Sequence, residues 1–183
     1  ASHQCLEDYA LMRSIPGMVV MSPADEVEAR AMVKAAYEHQ GPVYMRFGRS
    51  PVPVFHDEET FRFEIGRGEV MREGTDIAII ANGLLVAEAV EAGELLAVQG
   101  IHARIINMAT VKPLDETLVR KAAEECGRIL TCEEHSVIGG LGDAVCSFLS
   151  ETRPTPVKRI GTPDVFGHSG PAGELLRQFG LCA

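Results

Sequence analysis

The stretch DIAIIANGLLVAEAVEAGELLAVQGIHARIINM, residues 76–108, decides the fold. Ile77–Ala81 is an unbroken apolar run that ends at Asn82-Gly83, the pattern of a strand buried on both faces. LLVAEAVEAGELLAVQG (84–100) is built from good helix formers and closed by Gly100. ARIINM (103–108) is a second apolar strand. Strand, helix and strand at these lengths make a right-handed parallel crossover.

The rhythm continues in both directions. Downstream, LDETLVRKAAEEC (114–126) reads as a helix capped by Asp115, and RILTCEE (128–134) as a third strand. GLGDAVCSFLSE (140–151) is a helix after a glycine turn, PVKRIG (156–161) a fourth strand, and PAGELLRQFG (171–180) a last helix. EVMRE (69–73) suits a short edge strand. Residues 67–183 are therefore expected to form a three-layer α/β/α domain on a mainly parallel, mixed sheet. Upstream, residues 1–48 read helix, strand (MVVM, 18–21), helix, strand (PVYMRFG, 42–48). Ser22 is the expected cap of that second helix and Pro23 its first residue, with Asp25 and Glu26 at the positive end of its dipole. This upstream part is an incomplete α/β piece, too small to bury both faces of a sheet. RSPVPVFHDEET (49–60) is proline-rich and then acidic, so an extended linker is expected over 54–66, separating 1–53 from 67–183.

Composition narrows the function classes. The 183 residues are 46% apolar and carry 17 Lys and Arg against 26 Asp and Glu, a net charge of −9. That balance disfavours nucleic acid and anionic membrane surfaces as partners, though a local basic pocket still suits a small phosphate. The five cysteines form no CxxC pair and suit free thiols in a reducing cytoplasm. No stretch reaches the length of a membrane span.

Four groups of residues carry chemistry worth weighing. VIGGLGDAV (137–145) offers a phosphate cradle at a helix start, but Gly139, Gly140 and Gly142 do not have dinucleotide-fingerprint spacing, and tight-turn geometry is the plainer reading. Glu133, Glu134 and His135, at a strand's carboxyl end, suit an acid/base or metal site, with a structural role preferred. DVFGHSG (164–170) contains His168 and Ser169 but no GxSxG elbow; Ser169 to Pro171 reads as the cap and first turn of the last helix. His3 and Gln4 stand at a helix entrance, and Arg46 and Arg49 at a strand's end, where α/β proteins gather polar groups. A histidine donates to a substrate oxygen and an arginine grips a phosphate. Spacing alone leaves solvated arginines equally open.

ASHQCLEDYALMRSIPGMVVMSPADEVEA, MRFGRSPVPV, GRGEVMREGTDIAIIANG, INMATVKPLD, EEHSVIGGLGDAV and DVFGHSGPAGELLRQFGL, in this order, resemble the transketolase family over essentially the whole chain. The nearest likeness is to transketolases whose carboxyl-terminal half is a separate subunit. The resemblance implies that 1–53 matches the end of a pyrimidine-binding domain and 67–183 a whole carboxyl-terminal domain. It implies transfer of a two-carbon ketol unit between sugar phosphates, with thiamine diphosphate and Mg2+ held by parts that these residues do not match. His3 matches a histidine that hydrogen-bonds the donor sugar, and Arg49, in FGRS, an arginine that holds the sugar phosphate; Arg46 is the weaker match. An Asp-Gly pair normally precedes the His-Gln segment, so the start at ASHQ is expected to be a truncation. The chain alone is expected to be inactive and to bind no cofactor. Its implied partner is the amino-terminal transketolase portion or subunit, in a homodimer or heterotetramer. The alternatives are a non-catalytic dimerisation or regulatory module, with an anion at Gly139–Gly142, or the same part of a deoxyxylulose-phosphate synthase or a 2-oxoacid dehydrogenase β-subunit.

Overall fold

A computed structural model describes residues 4–183. Its larger sheet holds β3 (Glu69–Arg72), β4 (Ile77–Ala81), β5 (Ala103–Asn107), β7 (Ile129–Ser136) and β8 (Val157–Thr162), in the order β3-β5-β4-β7-β8. β3 runs antiparallel at one edge and the other pairings are parallel, which is the mixed sheet expected from sequence. Side chains alternate along β4. Ala78 and Ile80 face a core made with α4 (Glu116–Cys126) and α5 (Leu141–Thr152), through Val119, Ala122, Leu141, Val145 and Leu149. Ile79 and Ala81 face the other core with Leu85, Val86 and Ala89 of α3 (Leu85–Val98). Two filled faces are what a continuous Ile/Ala run requires, and burying each isoleucine side chain contributes about 1.5–3 kcal/mol.

The smaller sheet was only partly legible. β1 (Val19–Met21) pairs parallel with β2 (Val43–Met45), as the sequence predicts. A third strand, β6 (Thr110–Lys112), pairs antiparallel on the other side of β1, at Val20↔Lys112 and Met21↔Thr110. The upstream segment therefore completes its sheet with a strand from beyond residue 67. The first helix, α1 (Asp8–Arg13), packs on this junction, and the Lys112 Nζ donates to the Arg13 and Ile15 carbonyls at its carboxyl end.

Two caps differ from expectation. α2 (Glu26–Glu38) is capped by Asp25, whose side chain accepts from the Glu28 N–H at 2.8 Å, and not by Ser22. The Ser22 amide instead donates to the Ala109 carbonyl at 2.8 Å, which keeps residue 22 in the sheet region and moves the helix start downstream. α6 (Ala172–Gln178) begins after Pro171 with no side-chain cap, so Ser169 does not serve as one. Residues 54–66 contain no helix or strand but are tied down. The Asp25 Oδ2 accepts from the Phe55 and His56 amides at 2.7 and 2.9 Å. The His56 ring bridges Asp25 (2.9 Å) and Glu69 (2.8 Å). Among the described residues no helix is long and apolar enough to cross a membrane.

Candidate functional site

A cleft of about 650 Å³ opens between the turn after β2 and the last helix, floored by Tyr44, Arg46 and Glu134 and walled by Leu175, Leu176 and Phe179. Gln4 and Arg49 both line it. The strand β2 ends at Met45, so Arg46 and Arg49 leave the sheet at its carboxyl edge, where polar groups collect in α/β proteins.

The two arginines differ in what they are bound to. The Arg46 side chain is 15% exposed, and each of its three nitrogens has its own partner. Nε lies 3.2 Å from the Asp8 carboxylate, one terminal nitrogen 3.6 Å from Glu134, and the other donates to the Cys5 carbonyl at 3.0 Å. The guanidinium also sits over the Tyr9 ring, 5.1 Å from its centroid. Asp8 takes a further bond from the Tyr44 hydroxyl at 2.8 Å. Burial and the Asp8 carboxylate push that phenol up to about 12, so it stays a donor. Arg49 is exposed, and no hydrogen bond or ion pair joins it to another described residue. Of the two, Arg49 is the cation left available to an anionic ligand. His3, the other residue singled out from sequence, lies outside the described residues.

The helix entrance after Gln4 is held by an unexpected group. The His135 Nε2 accepts the amides of Tyr9 and Ala10 at 3.1 and 3.4 Å, so it is the side-chain cap of α1. A ring nitrogen that accepts carries no proton. The proton sits on Nδ1, which donates to the Ser136 carbonyl at 2.7 Å. Burial lowers the basicity of this imidazole further, and its 3.9 Å approach to Asp8 is not an ion pair. His135 also stacks on Tyr9 at 4.8 Å. The preferred structural reading of His135 is what the geometry displays, and the acid/base reading finds no substrate-facing nitrogen.

Glu133 disposes of the phosphate cradle. Its carboxylate, 0% exposed, accepts from the Leu141 and Gly142 amides at 2.7 and 2.9 Å. The Gly139 amide donates to Asp143 at 2.5 Å, and Arg13 donates to the Gly139 and Gly140 carbonyls. The start of α5 thus already holds a carboxyl group supplied by the chain itself, and a Cβ at Gly140 would overlap it. Burial raises the Glu133 carboxyl to about 7, against the pull of those two amides. The alternative of an anion at Gly139–Gly142 loses the Gly139, Leu141 and Gly142 amides to the chain's own carboxylates, which leaves the tight turn preferred from sequence. A sequence signal existed, because Thr131, Glu133 and His135 share one face of a buried strand, and a carboxylate there needs donors.

His168 and Ser169 form no nucleophile pair. The His168 Nε2 is 2.9 Å from Gln178 Oε1, and the His168 carbonyl accepts from the Gln4 side chain at 3.1 Å. Gly167 lies so close to Gln4 that any Cβ there would strike its side-chain oxygen. Among the described residues, no group of three or more His, Cys, Asp or Glu is placed to hold a metal ion. The Gly139, Leu141 and Gly142 amides are likewise taken up within the chain, so the glycine turn does not fit a diphosphate.

Residues 66–183 match the model of the transketolase C-terminal domain, and residues 1–54 match that of the transketolase pyrimidine binding domain. A 6-deoxy-6-sulfo-D-fructose transketolase subunit of Clostridium sp. is 44% identical over 182 residues, covering 100% of this chain and 56% of that protein. A 1-deoxy-D-xylulose-5-phosphate synthase of Heliobacterium modesticaldum is 43% identical over 184 residues, covering 100% of this chain and 28% of that protein. The solved structure of a split gene transketolase, described as an inactive β4 tetramer, superposes with a TM-score of 0.95 at 50% identity, over 98% of this chain and 59% of that one. The chain thus spans little more than half the length of the subunits it matches.

Proposed function

The chain belongs to the transketolase family, and from that premise we propose that it supplies the sugar-phosphate grip of an enzyme transferring a two-carbon ketol unit between sugar phosphates. Family members use thiamine diphosphate. In our reading that cofactor and its Mg2+ sit on the amino-terminal portion or partner subunit, because the described residues show no metal cluster and Glu133 already takes the Leu141 and Gly142 amides. The solved relative, an inactive β4 tetramer, supports the same division of labour, in which this chain alone is inactive and the assembled heteromer works. Residues 1–53 would then be the end of the pyrimidine-binding domain and 67–183 the carboxyl-terminal domain, joined through 54–66.

The observation that carries the reading is the contrast between the two cleft arginines. Arg46 is committed to Asp8, Glu134 and Cys5, while Arg49 projects free beside Gln4, the residue after His3. Arg49 grips the phosphate through paired N–H donors, and His3 donates to an oxygen of the donor sugar. In the assembled enzyme, Arg49→Gln should raise KM for phosphorylated acceptors roughly 10–100-fold and leave an unphosphorylated aldehyde acceptor unaffected. An equal effect on both acceptors would refute the assignment. A second reading, part of a 1-deoxy-D-xylulose-5-phosphate synthase, is favoured by the 43% identity to such an enzyme over the whole chain. Profiling donor substrates with the assembled protein separates the two.

A further inference from the structure

The segment that follows His3 is held largely from a distance. Gln4 bonds to the His168 carbonyl, the Ser136 amide donates to the Leu6 carbonyl at 2.6 Å, and His135 caps Tyr9 and Ala10. All three partners, His168, Ser136 and His135, belong to the region matched as the carboxyl-terminal domain. The remaining ties come from β2 and the turn after it: Arg46 on the Cys5 carbonyl and the Asp8 carboxylate, and Tyr44 on Asp8, with Arg46 in turn held by Glu134 of the carboxyl-terminal region. A planar guanidinium with three separate partners fixes three directions at once, which a lysine cannot do. Asp8 and Glu134 are its two counter-charges, and Asp8 is shared with Tyr44.

We propose that Glu134 is a positioning residue: by holding Arg46 against the Cys5 carbonyl and Asp8 it sets how Gln4 and the segment after it present themselves in the cleft that meets the substrate. The carboxyl-terminal domain then tunes the reaction as well as helping to assemble the protein. The inference rests on the reading of the cleft lined by Gln4 and Arg49 as the sugar-phosphate site, but its physical core, the clamp on residues 4–10, does not. The plain alternative is a partly exposed ion pair: the Glu134 side chain is 31% exposed, and such pairs add little to stability. The two accounts differ in what they move. A mere ion pair alters neither turnover nor local opening of residues 4–10.

The test uses Glu134→Gln with Glu134→Asp as the conservative variant. In the assembled enzyme Glu134→Gln should lower kcat about 10-fold with KM for phosphorylated acceptors changed less than about twofold, and Glu134→Asp should recover most of the loss. In the 183-residue chain, amide exchange of a peptide covering residues 4–10 should quicken about 10-fold at an unchanged urea midpoint. Unchanged kcat and unchanged exchange would overturn the proposal, and so would an effect confined to KM for phosphorylated acceptors. Should Arg49→Gln prove inert while Glu134→Gln behaves as stated, only the phosphate assignment falls.

Discussion

Replacing Glu133 with alanine is expected to destabilise the fold by about 3–5 kcal/mol, the largest effect of any single change considered for this chain. The carboxylate is fully buried and accepts the Leu141 and Gly142 amides, which have no other acceptor at the start of α5. Removing it orphans two buried donors, each costing about 1–3 kcal/mol, and leaves a void beneath Gly140. Glu133→Gln is milder: it keeps one acceptor but turns an NH2 toward an amide N–H. Urea unfolding provides the measurement. A loss of 3–5 kcal/mol corresponds to a midpoint lower by roughly 2 M at a slope of about 2 kcal/mol/M. A loss below about 1 kcal/mol would mean that water replaces the carboxylate and that the turn is open to other anions after all.

The second large effect concerns pH. His56 is nearly buried, and burial alone would lower its pKa. The hydrogen bonds to Glu69 and Asp25, with the charges of Asp25 and Glu28, outweigh that and raise it to about 9. The ring is therefore an imidazolium tying 54–66 to both flanking segments. A base with a raised folded pKa stabilises fully below its unfolded value near 6.5 and loses that contribution as pH climbs through about 9. The shift corresponds to stabilisation on the order of 3 kcal/mol. The stability difference between the native chain and His56→Gln should accordingly be large at pH 6 and should shrink by most of that amount at pH 10. Cysteines, lysines and tyrosines titrate in both proteins, so the difference isolates His56. A gap of equal size at both pH values would show that the histidine acts by packing on Phe61, 4.0 Å away, and not by charge.

What the sequence revealed and what it hid follow from the range of the forces involved. The large sheet was legible because Ile77–Ala81 and Ala103–Asn107 bury every or nearly every side chain, and continuous apolar runs record that directly. β6 was not, because Thr110–Lys112 is a strand only by virtue of β1, some ninety positions earlier in the chain. The cap of α2 went to Asp25 because its carboxylate also receives two amides from 55–56, a partnership no local pattern records. At the cleft, spacing left Arg46 and Arg49 level. The family resemblance favoured Arg49, and the physical difference lies in the positions of Asp8, Glu134 and Cys5, which reach Arg46 from two distant parts of the chain. His135 reads as chemistry in sequence because a helix cap supplied from 125 residues away looks, on the page, like any strand-end histidine.

The seam formed by β6 and β1 means that the two segments matched by separate family models are not separable by cutting the tether between them. A protease nick within 54–66 leaves two peptides on a denaturing gel and one peak on a sizing column. Prying them apart requires pulling a strand out of its sheet, so fragments made separately should find each other and complement.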